Sequence, residues 1–370
     1  MEETEKLAVL RINSCSCLRN DWARRIIGFY GSAAEFLLKR PAEISADCGV
    51  SAESVKRLLD ESGSFDPEAE MELAAKQGWK ILFNGEETFP ALISSIPDAP
   101  FLIYLAGENK FNIPAVGVVG TRKTTPYGRR TAACTAHFLA DAGVAVVSGL
   151  ARGIDTVAHE ACLKAEGVTW AVLGTGLGRC YPSENRHLSE VIIKKGGALI
   201  SEFSVNSRPV PANFPKRNRI ISGLSHAVVV IEGNEKSGAL ITAKTAVEQG
   251  REVLAVPGPV DSEMSRGPNS LIRDGALLML QPEDIISALP SDALLNIKIS
   301  VSARRKDPGG AVETLSPEAK QVLSCIGESE MPHEQIVEKL GWPVAGTSAA
   351  IFELESAGVI VLREGKYERA

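Results

Sequence analysis

Val116-Gly117-Val118-Val119-Gly120-Thr121-Arg122-Lys123 is an apolar run that ends in a glycine turn carrying two cations. The same order of parts returns at Val147-Ser148-Gly149-Leu150-Ala151-Arg152-Gly153-Ile154-Asp155. Around these two stretches, short apolar runs alternate with segments of helical length. The runs fall at 115–119, 144–147, 169–173, 198–201, 227–231, 252–256 and 276–279, and the helical segments include 127–142, 154–166, 184–195 and 239–249. Most runs are near-continuous Val, Ile, Leu and Ala, without the alternation of a half-exposed strand. That texture predicts strands covered on both faces. Repeated β-α units predict a doubly wound, mostly parallel sheet. Such sheets bind ligands beyond the carboxyl ends of their strands, near the topological switch, so the loops that follow the strands carry the functional reading.

In the first loop Gly120 allows a tight turn. The amides of the turn and of a helix opening near Pro126, with Arg122 and Lys123 beside them, form the set of donors that holds a phosphate. The second loop adds Arg152 to another glycine turn, and Asp155 suits a first-turn or capping role. Asp155 and His159 are spaced i,i+4, but no third ligand accompanies them, so no metal is expected. The third loop, Gly174-Thr175-Gly176-Leu177-Gly178-Arg179, has arginine where the dinucleotide fingerprint needs its last glycine. The fifth, Glu232-Gly233-Asn234-Glu235-Lys236-Ser237-Gly238, has Glu235 where a Walker A motif needs glycine, although Ser237 and Gly238 offer further amides. Pro257-Gly258-Pro259-Val260 reads as a rigid wall.

The densest cationic block is Asn213-Phe214-Pro215-Lys216-Arg217-Asn218-Arg219-Ile220-Ile221-Ser222-Gly223-Leu224. If Pro215 opens a helix, the three cations sit in its first turns and oppose its dipole, which costs stability unless an anion lies nearby. Phe214 either stacks a nucleobase, as aromatics do in single-strand binders, or joins the core. No G-x-S-x-G elbow occurs, and the five histidines show no ligand spacing. The loops thus describe an anion-binding surface without an acid–base pair, and neither a cofactor nor catalysis is expected.

The flanks read differently. Residues 18–72 suggest short helices, with Trp22, Ile27 and Phe29, then Phe36 and Leu37, then Val55, Leu58 and Leu59 as apolar faces, and Ser51 as a cap. Residues 80–83 and 101–105 read as two further strands, a joint or appended edge of the next domain. Residues 291–312 are polar and rich in Gly and Pro, a linker. The tail, 315–370, reads as three helices and a hairpin, a winged-helix pattern. The expected architecture is α/β, with an extended Rossmann-like sheet at 80–290. A small N-terminal helical domain of SAM or helix-hairpin-helix character precedes it at 1–79, and a linker at 291–314 leads to a winged helix at 315–370.

Of the 370 residues 44% are hydrophobic and 23% charged, which excludes a mainly disordered or collagen-like chain. No run approaches the roughly 18 apolar residues of a membrane helix. The acidic opening Met1-Glu2-Glu3-Thr4-Glu5-Lys6 is followed by no apolar signal segment. Seven scattered cysteines, an odd number, fit a reducing cytoplasm better than a disulfide framework or a zinc site. The net charge of −6 hides a partition: residues 114–290 carry 19 Lys and Arg against 16 Asp and Glu, and both flanks are acidic. Only the middle of the chain is suited to a polyanion.

Taken together, Gly120-Thr121-Arg122, Ser148 through Asp155, Pro215 through Leu224, Ser237-Gly238-Ala239-Leu240-Ile241-Thr242-Ala243 and Gly267-Pro268-Asn269-Ser270-Leu271-Ile272 resemble the bacterial DNA-processing protein A family (DprA, also called Smf). The resemblance spans essentially all of 80–290. It implies a dimeric, cytoplasmic protein that binds single-stranded DNA, protects incoming strands in natural transformation and loads the RecA recombinase, with the homodimer formed through the Rossmann-like domain. Carried over by position, it implies DNA contacts at Arg122, Gly149, Arg152, Lys216, Arg217 and Asn218, and at Phe214. The full candidate set adds Gly120, Thr121, Ser148, Ser237 and Gly238. Because these loops are expected to be exposed, Arg122→Ala or a Lys216/Arg217 double substitution is expected to weaken binding without unfolding.

The competing reading is a nucleotide-sugar hydrolase, whose P-G-G-x-G-T loop is missing here. The tail carries 5 basic and 9 acidic residues, and its third helix, 344–357, has no Lys or Arg but contains Glu353 and Glu355. Such a helix is repelled by duplex phosphates, so the winged helix is expected to contact protein, or DNA only weakly through Arg363 and Lys366.

Overall fold

The computed structural model describes residues 1–15, 20–295, 297, 315–326, 331–356, 360–363 and 366–369. Residues 1–298 form one compact unit and residues 299–370 another. The first unit opens with six helices: α1 (Glu3–Asn13), α2 (Asn20–Tyr30), α3 (Ala33–Leu37), α4 (Pro41–Cys48), α5 (Ala52–Gly63) and α6 (Pro67–Lys76). Ser51 caps α5 by accepting the Ser54 N–H at 3.2 Å, and Asp66 caps α6 through the Ala69 N–H at 3.0 Å. The sequence reading starts its helices at residue 18 and misses α1, whose acidic first turn resembles a solvated end. Ala8, Val9, Leu10 and Ile12 of α1 are nevertheless buried.

The chain then runs β1 (Lys80–Phe83), α7 (Ala91–Ser94), β2 (Leu102–Gly107), β3 (Ala115–Val119), α8 (Pro126–Asp141), β4 (Ala145–Ser148), α9 (Ile154–Lys164), β5 (Thr169–Val172), α10 (Arg186–Lys194) and β6 (Ala198–Ser201). It continues through α11 (Asn213–Gly223), β7 (Ala227–Val230), α12 (Gly238–Glu248), β8 (Glu252–Ala255), α13 (Arg266–Arg273), β9 (Leu277–Leu278), α14 (Asp284–Ser287) and α15 (Ser291–Leu294). One nine-stranded sheet has the order β1-β2-β6-β5-β4-β3-β7-β8-β9. The seven strands from β6 to β9 are parallel, as the apolar runs predict, and β1 and β2 extend the sheet antiparallel at one edge.

The chain builds outward from β3 through β6, then returns to lay β7 against the other side of β3. The topological switch therefore lies between β3 and β7, with Val119 opposite Val230. The loops that leave these two strands are tied together where the Thr121 N–H donates to the Glu232 carbonyl at 2.8 Å.

The N-terminal helices share a core with part of the sheet: Leu10, Phe36, Ile44 and Leu58 cluster with Phe83, Leu102, Tyr104 and Leu199. Polar pins reinforce the junction. The Glu70 carboxylate accepts the Val205 N–H at 2.6 Å, and Asn13 Nδ2 donates to the Glu202 carbonyl at 2.8 Å.

His159 of α9 is fully buried. Its Nδ1 lies 2.6 Å from Thr169 Oγ1, and the Thr169 hydroxyl donates to the Val146 carbonyl at 2.8 Å. Nδ1 therefore carries the proton and donates, and Nε2 has no partner among the described residues. Burial first, and the nearby Arg217 charge second, push its pKa down to about 3. The unfolded chain takes up this proton near pH 6.5 and the folded chain does not, so this group removes stability as pH falls from about 6.5 toward 3. Between pH 7 and 5 the contribution is about 2 kcal/mol. His159→Gln is expected to lose that much less stability over this range in urea denaturation. Equal losses in both proteins contradict the assignment.

The second unit contains the helices Pro317–Ile326, His333–Leu340 and Val344–Ser356. They accompany a three-stranded antiparallel sheet of β10 (Met331–Pro332), β11 (Ile360–Arg363) and β12 (Lys366–Arg369), in the order β10-β12-β11, which completes a winged helix. Val322, Ile326, Ile336, Ile351 and Leu354 form its core. Glu353 is engaged within this unit. Its carboxylate accepts the Ser316 N–H at 2.8 Å and the Ser316 hydroxyl at 2.7 Å, at the start of the first of these helices. Most of the 291–314 linker lies outside the described residues, as do Cys17 and residues 364–365. The part of that segment that is described begins with the short helix α15, with Ala293 buried. Among the described residues, no helix is long and apolar enough to cross a membrane.

Candidate nucleic-acid interface

A cleft of about 370 Å³ opens at the topological switch. Gly120, Thr121 and Arg122 line it from the end of β3, and Ala151 and Asp155 from the end of β4. Phe214, Pro215, Arg217 and Asn218 line it from α11, and Asn234, Ser237 and Gly238 from the loop into α12. Loops more than a hundred residues apart thus converge on one space. The guanidinium of Arg122 lies over the Phe214 ring, 5.6 Å from its centroid, a cation–π arrangement. The Thr121 hydroxyl accepts the Lys123 N–H at 3.1 Å and shapes this turn.

Arg217 is only 4% exposed, because its guanidinium is spent on the protein itself. Nη1 donates to the carbonyls of Gly149, at 2.6 Å, and Val172. Nε donates to Asn218 Oδ1 at 3.2 Å, and Asn218 Nδ2 in turn reaches the Gly238 carbonyl at 3.2 Å. A Cβ at Gly149 would lie 2.6 Å from this guanidinium, so only glycine admits the approach. The expectation that the Lys216-Arg217 pair is exposed holds for Lys216 and fails for Arg217, which acts as a strut across two strand ends. Lys216 itself lies outside the lining of the cleft.

Ser148 is likewise internal. Its hydroxyl donates to the Val118 carbonyl at 2.7 Å and ties β4 to β3 beneath the cleft. Arg152 is exposed and adjacent to the Arg122 turn, since the Ile154 N–H donates to the Thr121 carbonyl at 3.1 Å. Its Nε donates to Glu184 at 2.9 Å. Ser237 caps α12, its hydroxyl accepting the Ala239 N–H at 3.3 Å.

The helix openings behave differently from the sequence expectation. At the start of α8 the Thr125 and Gly128 amides are engaged within the protein. The Glu232 carboxylate accepts the Thr125 N–H at 3.0 Å and the Thr125 hydroxyl, and the Gly128 N–H donates to Thr125 Oγ1 at 3.1 Å. Glu232, only 3% exposed, is the anion of that helix terminus. In the second loop Asp155 takes this part, accepting the Gly149 N–H at 3.1 Å and the Ala151 N–H at 3.3 Å. Burial raises its pKa while Arg217 opposes the rise. The same burial lowers the Arg217 pKa to about 10, so it stays charged at neutral pH. In the third loop the Gly176 and Gly178 amides donate to the Ser207 and Val205 carbonyls, which leaves them unable to hold a pyrophosphate.

The dipole argument for the cationic block is answered the same way. α11 begins at Asn213, two residues before Pro215, and its two buried arginines have internal counter-ions. Arg217 faces Asp155. Arg219 pairs with Asp98 at 3.1 Å and with Glu202. The cations left exposed in the first two loops and this block are Arg122, Lys123, Arg152 and Lys216. The sequence reading missed Tyr181 and Glu184 in the β5–α10 loop. The ring of Tyr181 lies 5.6 Å from that of Phe214, and an aromatic residue before proline in a strand-end loop was the only local sign. Among the described residues, no group of His, Cys, Asp and Glu is arranged to hold a metal ion.

These features define the class: a Rossmann-like α/β protein with a cationic, aromatic cleft at its topological switch, joined in sequence to a winged helix. The chain belongs to the DNA recombination-mediator protein A family, whose model matches residues 80–290, and the DprA winged helix domain matches 306–366. It is 38% identical over 291 residues to Protein Smf of Escherichia coli, covering 76% of this chain and 75% of that protein. The X-ray structure of DNA processing protein A from Streptococcus pneumoniae superposes with a TM-score of 0.65 at 30% identity, over 76% of this chain and 96% of that one. A structure that describes the single-stranded DNA binding mode of DNA processing protein A from Helicobacter pylori superposes with a TM-score of 0.52 at 28% identity, over 56% and 94%.

Proposed function

We propose that this chain binds single-stranded DNA across the cleft at the switch, shields incoming strands during natural transformation and loads the RecA recombinase onto them. The observation that carries the reading is the stacking of exposed Arg122 on Phe214 in the cleft at the switch, with the exposed cations Lys123, Arg152 and Lys216 next in sequence to residues that line it. A cation for the phosphate beside an aromatic for the base is what sequence-tolerant single-strand capture requires. The residues proposed to meet the strand directly are Gly120, Thr121, Arg122, Arg152, Phe214, Lys216, Asn218, Ser237 and Gly238. Ser148, Gly149 and Arg217 are proposed to act beneath them, by holding the strand ends in register.

A homodimer through the Rossmann-like unit is part of this reading. At the β9 edge of the sheet Leu277, Leu278 and Leu280 are 39%, 46% and 75% exposed, an apolar border suited to a second copy. The cytoplasm is the proposed setting, supported by six free cysteines among the described residues. The hydrolase reading needs a carboxylate at liberty to act. Asp155 and Glu232 are both engaged by loop donors, and no base release from nucleoside monophosphates is expected.

The test is a polarisation titration of an oligonucleotide, single-stranded and duplex, at two salt concentrations. The expected result is preference for the single strand and a steep loss with salt, a slope of about −0.7 for each phosphate neutralised. Equal affinity for duplex, or indifference to salt, overturns the reading. One variant is expected to gain. Glu184 occupies Arg152 as a competing anion, so Glu184→Gln frees that guanidinium and raises single-strand affinity about two- to fivefold, the scale of an exposed ion pair. Unchanged affinity in the same titration removes Arg152 from the DNA path.

A further inference from the structure

Phe214 has an aromatic neighbour just outside the lining of the cleft. The Phe214 ring is held on several sides: Arg122 and Arg217 lie 5.6 and 5.9 Å from its centroid, and it approaches Gly174 so closely that a Cβ there would lie 2.8 Å from the ring. Phe214 therefore orients Arg122 and walls the cleft as well as meeting a base.

Beside it stands Tyr181, with its ring centroid 5.6 Å away, tilted by 51°, and 43% of the residue exposed. Tyr127, the other exposed tyrosine of this region, is tied by its hydroxyl to the Pro257 carbonyl at 2.9 Å. The backbone around Tyr181 is anchored at both ends. The Thr175 hydroxyl donates to the Arg179 carbonyl at 2.6 Å, and Asn185 Nδ2 donates to the Leu150 carbonyl at 2.8 Å and to Thr156 Oγ1 at 2.9 Å. Between those anchors Glu184 reaches Arg152. The segment 180–185 thus runs from the Phe214–Arg122 pair to the Arg152 turn, and Tyr181 is the ring that it offers to solvent on the way.

We propose that Tyr181 is a second nucleobase platform, stacking the base next to the one that meets Phe214, between the phosphates held at Arg122 and Arg152. This rests on the single-strand reading above and adds to it a residue and a register. A flat ring on a rigid segment offers contact area at little entropic cost, and base–aromatic stacking tolerates every base. The platform also distinguishes strands from free phosphates: it contributes only when bases are present, whereas the arginines respond to any polyanion.

The test uses the full chain and two fluorescent probes of equal length, oligo(dT) and an all-abasic strand. Tyr181→Ala is expected to weaken oligo(dT) binding about five- to a hundredfold, to change abasic-strand binding less than about twofold and to leave the salt slope unaltered. Tyr181→Phe and Tyr181→Trp are expected to restore binding. Tyr181→Leu, which keeps apolar bulk without a flat ring, is expected to behave as alanine does and guards against a folding defect in that variant. Oligo(dT) affinity unchanged in Tyr181→Ala, or equal losses on both strands, overturns the platform while leaving single-strand binding intact. A wild-type chain that binds neither probe overturns both readings.

Discussion

Arg217→Ala is expected to lower the unfolding free energy by about 3–5 kcal/mol, the cost of removing a buried guanidinium that closes two carbonyls and whose charge acts on the buried Asp155 carboxyl. The expected readout is a melting temperature lower by roughly 10 °C, with weaker binding as a consequence of the lost cleft. The physical cause is specific. The guanidinium closes the carbonyls of Gly149 and Val172 at once, and it is the cation facing the buried Asp155. Lysine is not expected to rescue, because a single ammonium cannot reproduce the planar fork that spans two strand ends. A wild-type melt combined with lost DNA binding contradicts this role and makes Arg217 a direct ligand. The Lys216/Arg217 double variant, which the sequence alone expects to spare folding, inherits the instability.

The paired substitution Arg122→Ala and Lys216→Ala is expected to do the reverse, leaving the melt unchanged within about 2 °C while binding falls. Both side chains are exposed, and neither makes an ion pair among the described residues. Removing two phosphate contacts lowers the magnitude of the salt slope by about 1.4 and the affinity near 0.15 M salt by roughly tenfold or more. Arg122→Ala alone is expected to show the larger share, because it also strips the face of Phe214. A salt slope identical to wild type moves the phosphate path elsewhere on the molecule.

The two experiments separate cations that look alike in the sequence. Lys216 and Arg217 are neighbours in one helical turn, yet one faces water and the other crosses beneath the cleft. Nothing local distinguishes them, since the difference is set by where α11 lies relative to the ends of β4 and β5. The same holds for acids. Glu232 sits in a loop that resembles a broken phosphate motif, and only the pairing of β7 with β3 brings its carboxylate to the opening of α8. Asp155 is different: its place in the first turn of α9 is readable, although it does not cap the helix and accepts instead from amides four and six residues before it. Glu353, acidic on a helix expected to meet a partner, proves to be bonded to Ser316, 37 residues away.

What the sequence by itself determined is the part encoded by short-range pattern. Unalternating apolar runs require strands covered on both faces, glycine turns require tight strand ends, and their repetition requires a parallel sheet with its functional loops at one edge. What only the tertiary structure decided is the identity of the counter-ions. A buried charge must find an opposite charge or a carbonyl through space, and the sheet order, not the spacing along the chain, chooses which one. The strand-end turns of this fold are partly filled by the protein's own carboxylates, and exposed Arg122, Lys123 and Lys216 stand outside that pairing.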